Sequence, residues 1–546
     1  MSVAMSAARA QEIAVTFDLR ALPSDFYADP YPVYDVLREQ SPVRLMPDDS
    51  YFLTRHQDLV AVYRDAQTFS SDKKIEFEPK YGATSPLFEH HTTSLVFNDP
   101  PLHTRVRSLI MGALTRRAIA GMESNLVTLV DSLLDELQTK GAGDLIEDFA
   151  SAIPVEVIGN LLGVPHADRR PLRGWSLAIL GALEPKLTPE QEALGNRSVT
   201  EFKFYLKTLV ADRRKHPGNP EQDVLTRLIG NETTDEKLSE VELLQNCVFI
   251  LNAGHETTTN LIGNALVALA EQPQVKTELL LKQELLATDI IGLEAYLNPV
   301  IDEFLRFESS NQLSNRRALK DTQIGGVHIA AGTLLSLCIG AANRDPAQFE
   351  QPNQLLLERQ NNRHLAFGLG IHQCAGMSLA RLEGRIAIGR FLQRFPSYRL
   401  LAAPTRGGRA RFRGFLHAPF SVILASRKLR KILETGMQST TTPPTEPKAF
   451  KRFSEFYPFY LTEHSNLTCR RLHFAGSSLS LVCLAMLVAT GKPQYLLYGL
   501  LCGYGFAWLG HFGFEKNKPA SFKRPLYSFM GDWAMYRDIW LGKVKI

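Results

Sequence analysis

Several common signatures are missing from this sequence of 546 residues. Its six cysteines are scattered with no C-x-x-C pair, which argues against a disulfide framework, a zinc knuckle and an iron–sulfur ferredoxin domain. The net charge is only +4 and the sequence has no dense basic tract, which argues against nucleic acid as a partner. Residues Met1–Thr16 lack the apolar core of a secretory signal. We expect a disordered N-terminus and a reducing compartment.

The sequence does contain enough apolar residues for more than one hydrophobic core. Hydrophobic residues make up 45% and charged residues 22%, and the length exceeds what one core usually holds. Residues 17–427 consist mostly of segments with amphipathic helical spacing. The clearest helix candidates are 241–271, 274–286 and 374–395, and the strand candidates are 51–54 and 322–329, the second turning on Gly325-Gly326. A mainly α domain with a small β region is predicted.

A threonine- and proline-rich segment separates this domain from the rest of the chain. Residues 437–447 are nearly devoid of apolar side chains and cannot bury enough surface to become ordered. We therefore assign 428–448 to a flexible linker.

The region 449–546 has two long stretches without charge. One lies between Arg471 and Lys492 and the other between Lys492 and Glu515, and each approaches the roughly 20 residues that a membrane-spanning helix needs. We predict a small all-α membrane domain with a two-span hairpin. The alternative is a buried hairpin of a soluble domain, because histidines and serines interrupt the apolar sequence.

Basic residues favour the membrane interpretation and give an orientation. They are dense outside the two stretches, whereas the joining loop has only Lys492. By the positive-inside rule both ends face the cytoplasm, together with the preceding domain. The flanking basic residues are Lys448, Lys451, Arg452, Arg470, Arg471, Lys516, Lys518, Lys523 and Arg524.

One cysteine lies in a setting that suits a metal-ligating thiolate. Gly370 precedes Cys374 by four residues and Gly376 follows it by two, so the backbone can bend closely around a flat partner. Helical spacing follows, which predicts a helix N-terminus that lowers the pKa of the thiol. Phe367 would shield the sulfur from water. We interpret Cys374 as a haem iron ligand; a buried free cysteine in a glycine-rich turn is the alternative.

The spacing F-x-x-G-x-x-x-C-x-G over 367–376 resembles the haem-binding loop of the cytochrome P450 family. The resemblance extends from about Phe17 to Leu424 and implies the P450 fold for 17–427, with haem b bound through Cys374. It also implies a monooxygenase that uses molecular oxygen. No flavin or ferredoxin motif is present, so ferredoxin and ferredoxin reductase are the expected electron donors.

The segment Ala253–Thr258 resembles the oxygen-binding helix of that family. On this resemblance Gly254 leaves room for dioxygen, while Glu256 and Thr257 form an acid–alcohol pair that supplies protons. A structural threonine bonded to the carbonyl of the preceding helical turn is the alternative.

Charged residues elsewhere also match the family. The resemblance implies that the haem propionates are bound by His103, Arg107, Arg317 and His364, with the family's spacing favouring Arg317 over its neighbour Arg316. It further implies a buried structural network of Glu303, Arg306 and Arg359 that supports the haem loop.

The C-terminal region resembles the small membrane family of 2-hydroxy fatty acid dioxygenases, from about Phe453 to Lys543. That family is described as using ferrous iron held by histidines. The resemblance implies a non-haem iron site of His464, His473, His511 and Glu515, a set of imidazoles and one carboxylate that suits iron. Histidines that merely cap or anchor helices near an interface are the alternative.

These features together predict a membrane-attached haem-thiolate monooxygenase. It would insert one oxygen atom into an apolar substrate such as a lipid or fatty acid, next to membrane lipid. Two alternatives are a fatty acid peroxygenase driven by hydrogen peroxide, against which the Glu256-Thr257 pair argues, and a haem-thiolate lipid sensor with a membrane anchor.

Overall fold

The computed structural model describes residues 6–220, 223–230, 238–422, 457, 460, 467–510 and 525–540. It divides the chain into two units, Met1–Leu424 and Ala425–Ile546. The predicted linker, 428–448, lies outside the described residues. In the first unit the described helices are Ala7–Thr16 (α1), Ser24–Ala28 (α2), Tyr31–Gln40 (α3), His56–Arg64 (α4), Lys74–Tyr81 (α5), Pro86–Thr93 (α6), Leu102–Ala113 (α7), Arg116–Lys140 (α8), Ala152–Leu161 (α9), Leu172–Gly181 (α10), Pro189–Lys215 (α11), Val224–Gly230 (α12), Glu240–Glu271 (α13), Pro273–Leu285 (α14), Ile290–Phe307 (α15), Ile339–Ala342 (α16) and Met377–Arg394 (α17).

Short strands form the small β region of this unit. They are Val43–Leu45 (β1), Tyr51–Leu53 (β2), Phe69–Ser70 (β3), Ala142–Asp144 (β4), Leu313–Ala318 (β5), Thr322–Ile324 (β6), Val327–Ile329 (β7), Leu334–Cys338 (β8), Arg399–Leu400 (β9), Thr405–Arg406 (β10), Phe415–His417 (β11) and Pro419–Ser421 (β12). The main sheet has the order β1-β2-β8-β5-β3, with β2 and β8 parallel and its other pairs antiparallel. The predicted mainly α fold with a small β region is confirmed.

The predicted hairpin forms from β6 and β7. Gly325 and Gly326 have φ angles of 57° and 84°. Positive φ at both central residues is what a two-residue hairpin turn that matches strand twist requires, so the glycine pair explains the turn.

The long helix α13 is the centre of the first unit. Its N-terminus has a capping box, because Ser239 Oγ accepts from the Glu242 N–H and the Glu242 carboxylate accepts from the Ser239 N–H. Its middle is buried on most sides, so the helix needs apolar and small residues almost all round. The prediction of a helix over 241–271 is confirmed to within one residue.

The N-terminus differs from the prediction. A disordered segment over 1–16 is wrong for its described part, since α1 is a helix whose Ile13 and Ala14 are buried. Ala10, Ile13, Ala14 and Phe17 have helical spacing and pack together in one cluster. Ser6 caps this helix by accepting from the Arg9 N–H at 3.3 Å. The segment is therefore helical because its apolar residues have amphipathic spacing and pack on one face.

A buried ionic network holds the end of α15, as the family resemblance implies. Both carboxylate oxygens of Glu303 lie 2.8 Å from the Arg306 guanidinium, and Arg359 Nε lies 2.9 Å from Oε2. Arg306 also donates to the carbonyl oxygens of Asn343, Pro352 and Gln354. The predicted network is confirmed, and its donors tie α15 to the segment that leads into the cysteine loop.

Ion pairs connect α8 with α17, the helix that follows the cysteine loop. Arg385 lies 2.9 Å from Glu123, Arg390 Nε lies 2.6 Å from Asp131, and Arg394 lies 2.6 Å from Asp135. Because sequence number rises along both helices in the same direction, the helices run parallel. The predicted helix over 374–395 is confirmed, although it begins at Met377.

The second unit contains three described helices, Leu467–Thr490 (α18), Gln494–Gly510 (α19) and Pro525–Trp540 (α20). Small residues line the contact between α18 and α19. Ser480 Oγ lies 2.8 Å from the Gly499 carbonyl oxygen, and a Cβ added to Gly476 would come within 2.9 Å of the Phe506 Cβ. Of the described helices, only α18 is long and apolar enough to cross a membrane, over Thr468–Thr490, with a mean hydropathy of 1.9. A second span remains a prediction.

Candidate active site

The first unit encloses a cavity of about 330 Å³ between α13 and the loop before α17. This volume is in the range of small-molecule sites. Most of its wall is apolar, with aliphatic side chains such as Ile158 and Leu180 and the ring of Phe249. The Cys374 side chain lies on this wall and faces the open volume.

The loop 367–376 is shaped by its glycines. Gly370 has a φ of 74°, and a Cβ on it would come within 2.2 Å of the Tyr63 carbonyl oxygen, so no other residue fits there. The Cys374 N–H donates to the Phe367 carbonyl at 2.8 Å. Phe367 lies on the cavity wall, with the Arg381 guanidinium 4.8 Å from its ring centroid. Gly376 is the N-cap of α17.

The predicted lowering of the Cys374 pKa is wrong in its net direction. Burial raises the pKa of this thiol, and the Gly376 N–H, Arg107 and Arg381 only partly oppose that effect. Cys374 precedes the N-cap of α17 by two residues, so the helix end acts on it weakly. Ionisation of a thiol in such a place depends on a bound cation.

Cationic and imidazole side chains gather on one side of the cavity. Arg107, Arg316 and His372 line the wall, and the His103 ring stacks on His372 with 4.1 Å between centroids. Burial lowers the pKa of His372 to about 2 and lowers that of His103. Both nitrogens of His103 and Nε2 of His372 are buried without a hydrogen-bond partner among the described residues. Each neutral ring has one N–H donor, and such donors suit carboxylate groups of a ligand.

Of the four predicted propionate partners only Arg107 lies on the cavity wall, and His103 lies behind His372, in contact with its ring. Arg317 pairs with Glu76 at 3.0 Å and is not on the cavity wall, because its neighbour Arg316 occupies that face of β5. His364 lies 3.3 Å from Asp302 and is also absent from the wall. His372 was not identified from the sequence as a propionate partner. Its position two residues before Cys374, inside the glycine-rich loop, indicates that it lies close to the cofactor.

Gly254 and Thr257 line the same cavity from α13. Thr257 Oγ1 donates to the Ala253 carbonyl at 2.8 Å, so the hydroxyl both faces the cavity and bonds the preceding helical turn. The sequence suggests that residue 254 is glycine to leave room for dioxygen. The packing of α13 against α9 also requires glycine there, since a Cβ would come within 2.4 Å of Ile158 Cδ1.

Glu256 faces away from the main cavity, into a separate space of about 20 Å³ that it shares with His255 and Asn260. Glu256 Oε1 lies 2.6 Å from Arg409 Nη1, whereas Oε2 has no partner among the described residues. Burial raises the pKa of Glu256, and Arg409 opposes this. Burial lowers the pKa of His255 to about 3. A polar space of this size holds about one water.

The main cavity therefore fits haem on several independent grounds. A thiol lies on one wall, apolar side chains surround the volume, and Arg107, Arg316, His103 and His372 offer donors to two carboxylates. A flat macrocycle needs the close backbone approach that Gly370 permits.

The second unit has a smaller cavity of about 180 Å³, lined by α18, α19 and α20. His473 Nδ1 lies 2.6 Å from Asp532 Oδ1, to which the Tyr460 hydroxyl also donates at 2.5 Å. His473 and Asp532 line the cavity. His464, His511 and Glu515 lie outside the described residues. Within the described part of the chain, no group of three or more His, Cys, Asp or Glu side chains is placed to hold a metal. Asp532 was not foreseen from the sequence.

Both units of the chain match known protein families. Residues 181–398 match the cytochrome P450 family model, and residues 450–544 match that of 2-hydroxy-palmitic acid dioxygenase Mpo1-like proteins. The chain is 35% identical to the biotin biosynthesis cytochrome P450 of Bacillus subtilis, over 69% of this chain and 92% of the relative. It is 34% identical to the vitamin D(3) 25-hydroxylase of Pseudonocardia autotrophica, over 69% and 88%.

Solved structures of cytochromes P450 resemble the first unit in fold as well as in sequence. P450BioI in complex with acyl carrier protein ligated to hexadec-9Z-enoic acid superimposes with a TM-score of 0.66 at 32% identity, covering 73% of this chain and all of that chain. The myxobacterial CYP267B1 in complex with myristic acid gives a TM-score of 0.65 at 29% identity, covering 73% and 98%. With the thiol-bearing loop and cavity described above, these matches show that the chain belongs to the cytochrome P450 family of monooxygenases.

Proposed function

We propose that the first unit is a haem-thiolate monooxygenase that inserts one oxygen atom from dioxygen into a lipid or fatty acid, with electrons from ferredoxin and ferredoxin reductase. The observation that carries the proposal is the apolar cavity with the Cys374 thiol and Thr257 on its wall. Relatives crystallised with fatty acyl ligands support the substrate class.

Each residue has a defined part in holding the cofactor and excluding water. Cys374 would hold the iron, while Arg107, Arg316, His103 and His372 would bind the propionates and Phe367 would shield the thiolate. Haem bound in this way supplies the dioxygen chemistry of the family. Arg316 and His372 replace Arg317 and His364 in this assignment because they lie on the cavity wall, and His103 is kept because its ring contacts His372.

Proton supply is assigned to Thr257 and Glu256. Thr257 carries its hydroxyl on the cavity wall, where it would hold a proton donor beside the reacting oxygen. Glu256, His255 and Asn260 have buried polar atoms without partners among the described residues, around a space for about one water. Protons would pass from that side of α13 to the cavity side.

Replacement of Thr257 with alanine tests this assignment together with the reaction class. With NADPH, ferredoxin and its reductase, product formation should fall about a hundredfold, the lower end for loss of a positioned proton donor, while NADPH is still consumed. Thr277→Ala is the control, because Thr277 makes the same bond to the preceding turn on the exposed side of α14. Oxidation by the wild type with peroxide alone, and none with NADPH, would establish a peroxygenase; no oxidation with either would favour a sensor.

The second unit is proposed to anchor the protein in a membrane through α18 and α19, with the first unit on the cytoplasmic side. Large apolar side chains project outward from both helices, among them Val482, Val488, Leu497 and Leu501. Such a continuous apolar exterior is typical of membrane contact. The basic residues outside the hairpin support the orientation.

A chain that ends at Met437 is expected to be soluble and to keep its full haem content, because the cavity is built from the first unit alone. The full-length chain should sediment with membranes and need detergent. Haem per chain and membrane sedimentation are the measurements. Aggregation or loss of haem in the shortened chain would contradict this division into domains.

The second unit is also proposed to bind ferrous iron and to cleave 2-hydroxy fatty acids. The family match over 450–544 supports this, as does the His473–Asp532 pair on a cavity wall. In such a site the carboxylate fixes the orientation of the imidazole.

Iron analysis of the full-length protein tests this proposal. We expect about one non-haem iron per haem and consumption of 2-hydroxypalmitate under oxygen, both lost in His473→Ala. The exposed His417 supplies the control variant His417→Ala. Haem iron alone, with 2-hydroxypalmitate left intact, would leave the second unit as an anchor only.

A further inference from the structure

Arg411 is a cation on the wall of the main cavity that the haem assignment does not use. Among the described residues its guanidinium donates to neutral oxygens alone: Nε to the Leu183 carbonyl at 3.2 Å, Nη1 to the Leu313 carbonyl at 3.1 Å, and Nη2 to the Asn315 side chain. Five N–H groups are present in a guanidinium, so donors remain after these three bonds.

No carboxylate oxygen among the described residues forms an ion pair with this guanidinium. The nearby acid is Glu184, whose carboxylate accepts the backbone N–H groups of Ala410 and Arg411 at 2.8 and 3.1 Å. Burial raises the pKa of Glu184, although Arg411 and Arg409 oppose this. Interior arginines are almost always paired with an acid, so Arg411 stands out.

The charges on the cavity wall do not balance even with haem bound. Its basic residues are Arg107, Arg316 and Arg411, and its one acid is Glu383. Burial raises the pKa of Glu383 to about 8, so this carboxyl is mainly neutral at pH 7. Two propionates would pair with Arg107 and Arg316, whereas the acid near Arg411, Glu184, accepts backbone N–H groups and forms no ion pair with the Arg411 guanidinium.

A second donor lies on the same wall. His91 is 2% exposed, and its Nε2 has no hydrogen-bond partner among the described residues. Burial and nearby positive charges, including Arg411, hold the pKa of His91 well below its ordinary value. The ring is therefore neutral and can donate a hydrogen bond from one nitrogen.

We propose that Arg411, assisted by His91, binds the carboxylate of a free long-chain fatty acid whose apolar chain fills the cavity. This rests on the proposed monooxygenase function and adds the form of the substrate. A thioester on a carrier protein, or a neutral lipid, has no carboxylate to place there. Guanidinium–carboxylate hydrogen bonds are the strong kind, and they are stronger still in an apolar cavity.

The experiment compares binding of palmitic acid, methyl palmitate and hexadecanol to the haem-loaded full-length protein in detergent, followed by the substrate-induced change in the haem spectrum. Wild type should bind the acid about tenfold to a hundredfold more tightly than the ester, as expected for hydrogen bonds to a charged group. Arg411→Gln should remove that preference and leave ester binding unchanged. Arg411→Lys should retain part of it, and Arg399→Gln, at an exposed arginine on β9, should change nothing.

Three results would overturn the proposal. Equal or tighter binding of the ester by wild type needs no variant and would decide against a carboxylate site. An equal loss of acid and ester affinity in Arg411→Gln would assign the residue to packing, and a loss of haem would assign it to a propionate. Because binding is measured separately from turnover, an inactive protein that still prefers the acid would contradict the monooxygenase function alone.

Discussion

Cys374→His is expected to abolish the long-wavelength absorption band that the carbon monoxide complex of reduced haem-thiolate proteins shows. The thiol lies on the cavity wall, in a loop whose backbone passes close to Tyr63 because residue 370 is glycine. An imidazole is a neutral ligand, and it donates less electron density than a thiolate. Monooxygenase activity should fall below detection, while haem still binds through the side chains around its carboxylates.

The control for this change is another cysteine of the same unit. Cys247 is buried on α13 and does not line the cavity, so Cys247→Ala should keep the band at full height. Survival of the band in Cys374→His would disprove the assignment of the axial ligand.

Glu303→Ala is expected to destabilise the first unit by about 3–5 kcal/mol, because it leaves the Arg306 guanidinium buried without its counter-charge. Both residues are fully buried. Arg306 and Arg359 also hold the segment 343–354 through its carbonyl oxygens, so the variant should lose haem at lower denaturant concentrations than the wild type. Urea denaturation followed by haem absorbance and by circular dichroism measures both effects.

Glu294→Ala is the matched control on the same helix. Glu294 is 44% exposed and pairs with Arg385 at the surface, so its replacement should lower the free energy of unfolding by about 0–1 kcal/mol. If the two variants were equally stable, the buried network would have no special part in supporting the cysteine loop.

Local sequence patterns predicted much of the first unit. The helix over 241–271, the glycine pair between β6 and β7 and the glycines of the cysteine loop each depend on neighbouring residues. Such features can be inferred without knowing what packs against them. The buried Glu303 network could be assigned only by resemblance, since its partners are distant in sequence.

The sequence alone does not show which face of a strand a side chain occupies. Adjacent residues of a strand point to opposite sides, so choosing Arg317 over Arg316 required the pairing of β5 with β8 and β3. Asp532 could not be linked to His473 from sequence because 59 residues separate them. The lowered pKa expected for Cys374 failed because burial outweighs the helix end.

The ion pairs between the arginines of α17 and the acids of α8 are not evenly spaced along the two helices. From Arg385 to Arg390 α17 rises about 7.5 Å, whereas from Glu123 to Asp131 α8 rises about 12 Å. The next intervals, Arg390 to Arg394 and Asp131 to Asp135, are equal, so only the first step differs between the two sets of charges. Sliding one helix past the other by a turn would therefore leave some charges unmatched. Each pair adds little to stability at the surface, but together they favour one axial alignment of α17, the helix that follows the Cys374 loop.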